Sequence, residues 1–300
     1  MTRRRVWILA SAAGLVLLIG AGLWIWQVSS RPASAEDTAL SYLRALESGD
    51  AAALASVSTK ASETSLTAFA AADERIEDPA TTAVDQSGDT ATAEVSFVLA
   101  GETRTASLPL SRTEGRWRVD AAGRGSVQAD ASTGAFFMIG DATFAIGEDA
   151  ALFPAVYTVA PAPRELLSGE AEVIVLPGET AEVSLDAALL PEATEAAQSA
   201  LEERLAECTT GGAEIPAGCG IRIPWGTEFR AVSDIRYRIE APPSLTLTTT
   251  HFDATDGVLV ATVTGTGQDG SPRTTTYRTE SWLVRGDVSF TATNIVLAPW

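Results

Sequence analysis

Two cysteines stand at a spacing that has an evident chemical use. Cys208 and Cys219 are the only cysteines of this 300-residue chain, and the ten residues between them include glycines and a proline. An even pair across such a flexible loop is typical of a disulfide in an exported domain. A redox-active pair is the alternative, although such pairs are usually closer in sequence. A zinc site would need more ligands than this pair and the single histidine, His251, supply.

Four arginines form the densest positive group in the second half of the chain. Arg236 and Arg238 share one face of a predicted strand, and Arg222 and Arg230 precede them. This grouping predicts either an anion-binding site or pairing of the arginines with neighbouring carboxylates. Exposed ion pairs contribute little stability. The four residues are our candidates for ligand binding.

Familiar catalytic motifs are missing from the sequence. His251 follows a threonine-rich stretch, and there is no Gly-x-Ser-x-Gly elbow, Ser-x-x-Lys pair or Walker loop. Residues 265–270 have the glycine spacing of a dinucleotide site, but strand-like segments flank them and predict a hairpin loop instead. Asp256-Gly257 predicts another turn between strands. We therefore expect a non-catalytic protein without cofactor or metal; the alternative is a carbohydrate hydrolase that uses two carboxylates facing a cleft.

The charge of the chain excludes nucleic acid as a partner. The formal net charge is −18 at pH 7, from 39 acidic and 21 basic residues. Such an acidic surface repels phosphate backbones, and no basic block after residue 5 opposes that repulsion. The acidity favours solubility; weak binding of divalent cations outside the cell is the alternative.

The N-terminal region predicts where the protein is located. Three arginines lie in residues 1–5, and an apolar run from Val6 to Trp26 follows them. A helix over this run would be about 30 Å long, the thickness of the hydrocarbon core of a bilayer. The arginines predict a cytoplasmic stub over 1–5, a transmembrane signal anchor over 6–28 and an extracellular bulk. A cleaved signal peptide is the alternative, because residues 33–35 (Ala-Ser-Ala) fit a cleavage site, but the apolar run is longer than a secretory one.

Beyond the anchor the chain is long enough for two domains. We expect a linker over 29–35, a first domain over 36–121 and a second over 127–300, separated by a stretch rich in glycine and small residues. The predicted fold class is α+β, with helices on a curved antiparallel sheet in the first domain and a mostly β second domain with one helix and a disulfide.

The first domain is predicted to begin with helices. Ser34 and Asp37 form a capping pattern, and Gly49 ends the first helix. A less regular helical stretch holds Leu66 and Phe69. Three antiparallel strands follow, the clearest of which alternates apolar and polar residues over 91–99.

This arrangement resembles the nuclear transport factor two-like superfamily, in particular small exported bacterial domains. The matching segments are 43–50, 89–99 and 107–119, the last of which ends in Gly-Arg-Trp-Arg-Val. The resemblance covers about a third of the chain. It implies a cone of helices and curved sheet whose mouth can hold a ligand. Catalytic residues of the family cannot be transferred, because the domain has no histidine and its carboxylates match no motif.

The second domain is predicted to consist mainly of strands. Gly140-Asp141 marks a hairpin, and Pro177-Gly178 marks another turn. Pro191 suits the first turn of a helix that ends near Cys208, and antiparallel strands run from Phe229 to the end.

Taken together, these patterns predict a bacterial, membrane-anchored extracytoplasmic envelope protein that binds or regulates a protein partner or a ligand. A passive extracellular spacer is the remaining alternative.

Overall fold

The computed structural model describes residues 33–214, 217–222 and 227–300. The stub 1–5, the anchor 6–28 and most of the linker lie outside these residues. None of the helices within the described ranges combines the length and the apolar character that a bilayer span requires. The predicted α+β class is confirmed: the fold is mixed and mostly β, with four helices in its described part.

Two compact units make up the described residues. The first consists of 33–61 and Ile76–Gly123, and the second of Ser62–Arg75 and Arg124–Trp300. The chain therefore passes into the second unit at Ser62, returns to the first at Ile76, and leaves it again after Gly123.

The first unit contains two helices and one sheet. The helices are α1 (Ala35–Ser48) and α2 (Ala51–Val57), and the strands are β1 (Glu77–Ser87), β2 (Thr90–Leu99), β3 (Glu102–Thr113) and β4 (Arg116–Val119). The sheet is antiparallel in the order β1-β2-β3-β4. It has one strand more than the sequence predicted.

Local signals explain how α1 begins and ends. The Ser34 hydroxyl accepts a hydrogen bond from the Asp37 amide at 3.1 Å, and the Asp37 carboxylate accepts one from the Ser34 amide at 3.1 Å. This capping box satisfies amides that the first helical turn leaves free. Gly49 ends the helix in the left-handed conformation, with φ 74°. The buried face of α1 includes Tyr42, whose hydroxyl donates to the Gly123 carbonyl at 2.7 Å and ties the helix to the end of the unit.

The second unit contains two helices and fourteen strands within the described residues. Its helices are α3 (Glu63–Ala70) and α4 (Pro191–Cys208). Its strands before α4 are short: β5 (Gly125–Ala131), β6 (Phe136–Ile139), β7 (Ala142–Ala145), β8 (Asp149–Leu152), β9 (Ala155–Pro161), β10 (Leu167–Ser168), β11 (Ala171–Val175), β12 (Thr180–Leu185) and β13 (Ala188–Leu189). Those after α4 are β14 (Phe229–Ala241), β15 (Ser244–Leu247), β16 (His251–Gly267), β17 (Pro272–Phe290) and β18 (Ile295–Pro299).

The strands before α4 form small sheets in the orders β11-β9-β6-β7, β12-β5-β8 and β10-β13. β6 and β7 form the hairpin that Gly140-Asp141 predicted. A turn does follow β11 at Pro177-Gly178, but β11 and β12 do not pair with each other: β11 pairs with β9, and β12 runs parallel to β5.

Helix α3 carries the stretch with Leu66 and Phe69 that the sequence grouped with the first domain. In the structure α3 belongs to the second unit. Phe69 is fully buried there and packs edge-on against Phe153, with 5.6 Å between the ring centroids. This aromatic contact joins residues far apart in the chain, so the local pattern could not reveal it.

The last sheet of the second unit has the order β14-β16-β17-β18, with β15 also paired to β16. The buried face of α4, which includes Leu201 and Leu205, belongs to the same hydrophobic core as Phe252 and Trp282 of this sheet. The predicted disulfide is confirmed: Cys208 at the end of α4 is bonded to Cys219, with 5.9 Å between the Cα atoms.

The predicted turn at Asp256-Gly257 is wrong, because β16 runs through it. The pairing register of β16 with β17 shifts on both sides of Gly257. Asp256 has φ 62°, a left-handed conformation that a bulge can accommodate. A Cβ at position 257 would lie only 3.0 Å from the Trp282 ring and 3.1 Å from the Pro243 side chain, so glycine lets this bulge approach the tryptophan closely.

Candidate functional site

A cleft of about 580 Å³ opens beside β17 in the second unit. We call it the tryptophan cleft. The side chains that give it its chemical character are those of Arg222, Trp282, Leu283, Arg285 and Trp300.

The loop 217–222 forms one wall of the tryptophan cleft and is held in place by three features. The disulfide ties Cys219 to the end of α4. The indole Nε1 of buried Trp282 donates to the Cys219 carbonyl at 3.1 Å. Gly220 lies so close to the backbone of β17 that a Cβ there would overlap the Leu283 carbonyl oxygen. Gly220 also has φ 61°, a conformation that glycine adopts without strain.

Two large apolar side chains of the tryptophan cleft are exposed to water. Trp300 is 68% exposed and Leu283 is 42% exposed. Exposed leucine or tryptophan is unremarkable when isolated, but an apolar pair in one concave site is typical of a binding surface.

Both charged side chains that line the tryptophan cleft within the described ranges are arginines. Arg285 is paired with Asp253, with 2.9 Å between Nε and Oδ1, and both side chains remain about half exposed. Arg222 has no carboxylate partner among the residues that the structure describes. Arg222 is therefore the positive charge that the cleft offers to a ligand, and together with Trp300 and Leu283 it suits a group that is both apolar and negatively charged.

The four arginines that the sequence singled out do not form one site. Arg222 alone lines the tryptophan cleft. Arg230, Arg236 and Arg238 lie on β14, and the last two have acidic partners on the same strand.

Ion pairs neutralise two of the three arginines on β14. Arg236 contacts Asp234 at 3.1 Å, and Arg238 contacts Glu240 at 2.6 Å. Glu240 also accepts a hydrogen bond from Arg278 of β17 at 2.9 Å, which lowers the pKa of Glu240 and raises that of Arg278. Of the two uses that the sequence left open, intramolecular pairing is found for Arg236 and Arg238, and anion binding stays a prediction for Arg222 and Arg230.

His251 lies at the start of β16, opposite Asp287 of β17. Its Nε2 is 3.5 Å from the Asp287 carboxylate, and its Nδ1 shares a hydrogen bond with the Thr250 hydroxyl at 2.7 Å. The imidazole is exposed, and its two ring nitrogens are directed at an acid and a threonine. Over the described ranges, no three His, Cys, Asp or Glu side chains are grouped as a metal site would require.

Two further clefts are present in the described residues. One, of about 500 Å³, lies in the first unit between α1 and the β3–β4 turn and includes Glu114, Arg116 and Trp117. The other, of about 580 Å³, lies in the second unit between α4 and the start of β18 and includes the exposed acids Glu165 and Glu203.

No protein-family model, curated protein or solved structure matches this chain.

Proposed function

We propose that this chain is a single-pass, membrane-anchored protein of a bacterial cell envelope, and that its second unit binds a protein partner or ligand in the tryptophan cleft. The observation that carries this proposal is the exposure of Trp300 and Leu283 next to Arg222 and Arg285.

Tryptophan and arginine are the residues that most often dominate binding energy at interfaces. A tryptophan side chain that is covered by a partner buries roughly 150 to 250 Å². Each Å² of apolar surface removed from water contributes about 25 cal/mol to the free energy of binding. Covering Trp300 would therefore contribute several kcal/mol, of the order of 3. A ligand that reached only the arginines would gain much less, because exposed ion pairs contribute about 0 to 1 kcal/mol.

The location rests on the apolar run Val6–Trp26 and the three arginines before it. The disulfide between Cys208 and Cys219 supports an oxidising compartment, since disulfides are rare in the cytosol. We infer that the N-terminus is cytoplasmic and that both units are extracellular.

We further infer that the first unit is a member of the nuclear transport factor two-like superfamily. The support is its order of elements: capped helices first, then an antiparallel meander that ends in the strand Arg116–Val119. Trp117 of that strand is buried and lines the cleft of this unit, as a ligand-holding cone would require.

Neither alternative has comparable support. A hydrolase that uses two carboxylates requires one acid in surroundings that raise its pKa, whereas Glu165 and Glu203 are both exposed in their cleft. A passive spacer would not be expected to have a cleft in each unit.

Crosslinking in intact cells tests the proposal. Because Lys60 is the only lysine, the tagged full-length chain is treated with a membrane-impermeable reagent that targets carboxylates, and co-purifying proteins are identified by mass spectrometry. We expect an envelope partner that is recovered with the wild type and lost with Trp300→Ala and Arg222→Glu.

Arg236→Glu is the matched control, since it makes the same charge change at an exposed arginine of β14 outside the cleft. A partner that survives both cleft variants, or is lost equally with the control, would contradict the assignment of the cleft. Failure of the impermeable reagent to modify the full-length chain in intact cells would contradict the extracellular location.

A further inference from the structure

Strand β17 has a long edge without a partner in the described residues. On one side it pairs with β16 from Pro272 to Asp287. On the other side it pairs with β18 only over Gly286–Phe290, and the Arg285 carbonyl accepts a hydrogen bond from the Trp300 amide at 3.1 Å. No described strand or bridge lies along residues 272–281 on that outer side. We call this segment the open edge.

The open edge is long enough to pair with another chain. Ten residues at about 3.3 Å each span roughly 33 Å, and every second residue directs its amide and carbonyl outward. At one end of the edge, the Ser281 amide is bonded to the hydroxyl of its own neighbour Thr279 at 3.3 Å. The Ser281 amide lies where the register of β17 with β16 shifts between Thr279 and Trp282, so this local bond occupies an amide outside the regular ladder.

The edge is protected against indiscriminate pairing. It begins with Pro272, and Arg278 and Glu280, which are two residues apart on the strand, form an ion pair. Proline and charged residues are the devices by which proteins prevent edge strands from aggregating. A partner strand must therefore offer additional contacts in order to bind.

The tryptophan cleft provides those contacts, because it continues the open edge. Thr279 and Ser281, near the end of the open edge, also line the tryptophan cleft. Leu283 and Trp300 line the same cleft. In strand addition, main-chain hydrogen bonds give affinity and a pocket for alternate side chains gives specificity.

We infer that the open edge pairs with an extended segment of a partner protein and that this segment places an acidic side chain in the tryptophan cleft. The inference rests on the proposed function and specifies the partner's chemistry. Charge complementarity selects the acidic side chain: Arg285 is paired with Asp253, but Arg222 has no carboxylate partner within the described residues, and the described lining of the cleft contains no acid although the chain has a net charge of −18.

The test uses the full-length chain in detergent micelles and two fluorescein-labelled nine-residue peptides. Both peptides alternate threonine and valine, and they differ only in a central glutamate or lysine. We expect the glutamate peptide to bind at least ten-fold more tightly by fluorescence polarisation. We also expect it to slow hydrogen exchange of the β17 amides in 272–281. Absence of binding by the glutamate peptide, or equal binding of the two peptides, would overturn the inference.

Two neighbouring proline variants, Thr274→Pro and Thr275→Pro, isolate the edge from the cleft. Adjacent amides in a strand point to opposite sides, so one variant removes an amide bonded to β16 and the other removes an outward amide. Thermal unfolding identifies the outward variant as the one that keeps its stability. The expected result is that this stable variant binds the glutamate peptide at least ten-fold more weakly.

A comparison with Arg222→Glu separates the two proposals. If Arg222→Glu abolishes binding and the stable proline variant does not, the edge inference fails and the cleft assignment stands. If neither changes binding, both fail. If sedimentation shows a dimer that the stable proline variant dissociates, the edge pairs with a second copy of this chain and the inference of a foreign partner is overturned.

Discussion

Gly220 is the residue on which the wall of the tryptophan cleft most directly depends, and replacing it with alanine tests the described geometry. Alanine at position 220 has two costs. It must adopt φ near 61°, and its Cβ must occupy space held by the Leu283 carbonyl oxygen and the Val284 side chain. The first cost is about 1 to 2 kcal/mol for a left-handed alanine, and the second, as overpacking against rigid backbone, adds about 1 to 3 kcal/mol.

Gly218 provides a matched control two residues away. It has a similar φ of 70°, but the nearest atom to a Cβ there is the Pro299 carbonyl oxygen at 3.5 Å, an ordinary contact. Gly218→Ala should therefore show only the conformational cost of about 1 to 2 kcal/mol. The difference between the two variants isolates the approach of Gly220 to β17.

Urea denaturation followed by tryptophan fluorescence measures both variants, since Trp282 and Trp300 lie at the site. We expect Gly220→Ala to lose about 2 to 5 kcal/mol of unfolding free energy, and at least about 1 kcal/mol more than Gly218→Ala. Equal losses would refute the reasoning, because they would mean that the loop 217–222 does not press on the backbone of β17.

Three further predictions concern the disulfide, the helix cap at Ser34 and Asp37, and the core of the second unit. Replacing both Cys208 and Cys219 by alanine is expected to lower the free energy of unfolding by about 3 kcal/mol, because the disulfide closes a loop with a sequence separation of 11. Urea denaturation of the oxidised wild type and of the variant measures the difference. Equal midpoints would contradict this prediction. Hydrogen bonds from Ser34 hold the pKa of Asp37 below its ordinary value of 3.8, so the stability that this carboxylate contributes is complete above about pH 4 and is lost as the pH falls through the lowered pKa. When the melting temperature is measured from pH 7 to pH 2, Asp37→Asn should lose less stability at acid pH than the wild type. Melting temperatures of the two proteins that fall in parallel would refute the link between this carboxylate and acid stability. Leu201→Ala should lower the free energy of unfolding by about 2 to 5 kcal/mol, since Leu201 is fully buried in the core between α4 and the last sheet. A loss below about 1 kcal/mol in urea denaturation would show that this packing is absent.

Elements set by local chemistry could be predicted from the sequence. The capping box at Ser34 and Asp37 forms because each side chain reaches a backbone amide within the same turn. Strand β2 alternates buried and exposed residues, and that alternation is visible as a period of two in the sequence. The hairpin predicted at 265–270 needs only a flexible loop between two strands, and β16 and β17 do meet there, although β16 extends to Gly267 and the loop itself is 268–271.

Elements that depend on distant partners could not be predicted. Strand β1 has no fully buried residue, so it lacks the apolar alternation by which a strand is recognised. Helix α3 belongs to the second unit through the contact of Phe69 with Phe153. The turn predicted at Asp256-Gly257 is a bulge instead, since the register with β17 decides between the two.

The same limit explains why the tryptophan cleft leaves no motif in the sequence. Arg222 and Trp300 lie 78 positions apart by number, and they meet at one site only because β17 carries Leu283 and Arg285 between them. Arg236 and Arg238, which are close in sequence and share a strand face, are neutralised by neighbours on that same face. Proximity in sequence thus grouped Arg222 with two arginines that pair with neighbouring acids, and it could not show that the disulfide-held loop brings Arg222 to an exposed tryptophan. Arg222 remains available to a ligand because no carboxylate of the described residues lies within ion-pair distance of it, and that separation is a property of the three-dimensional structure.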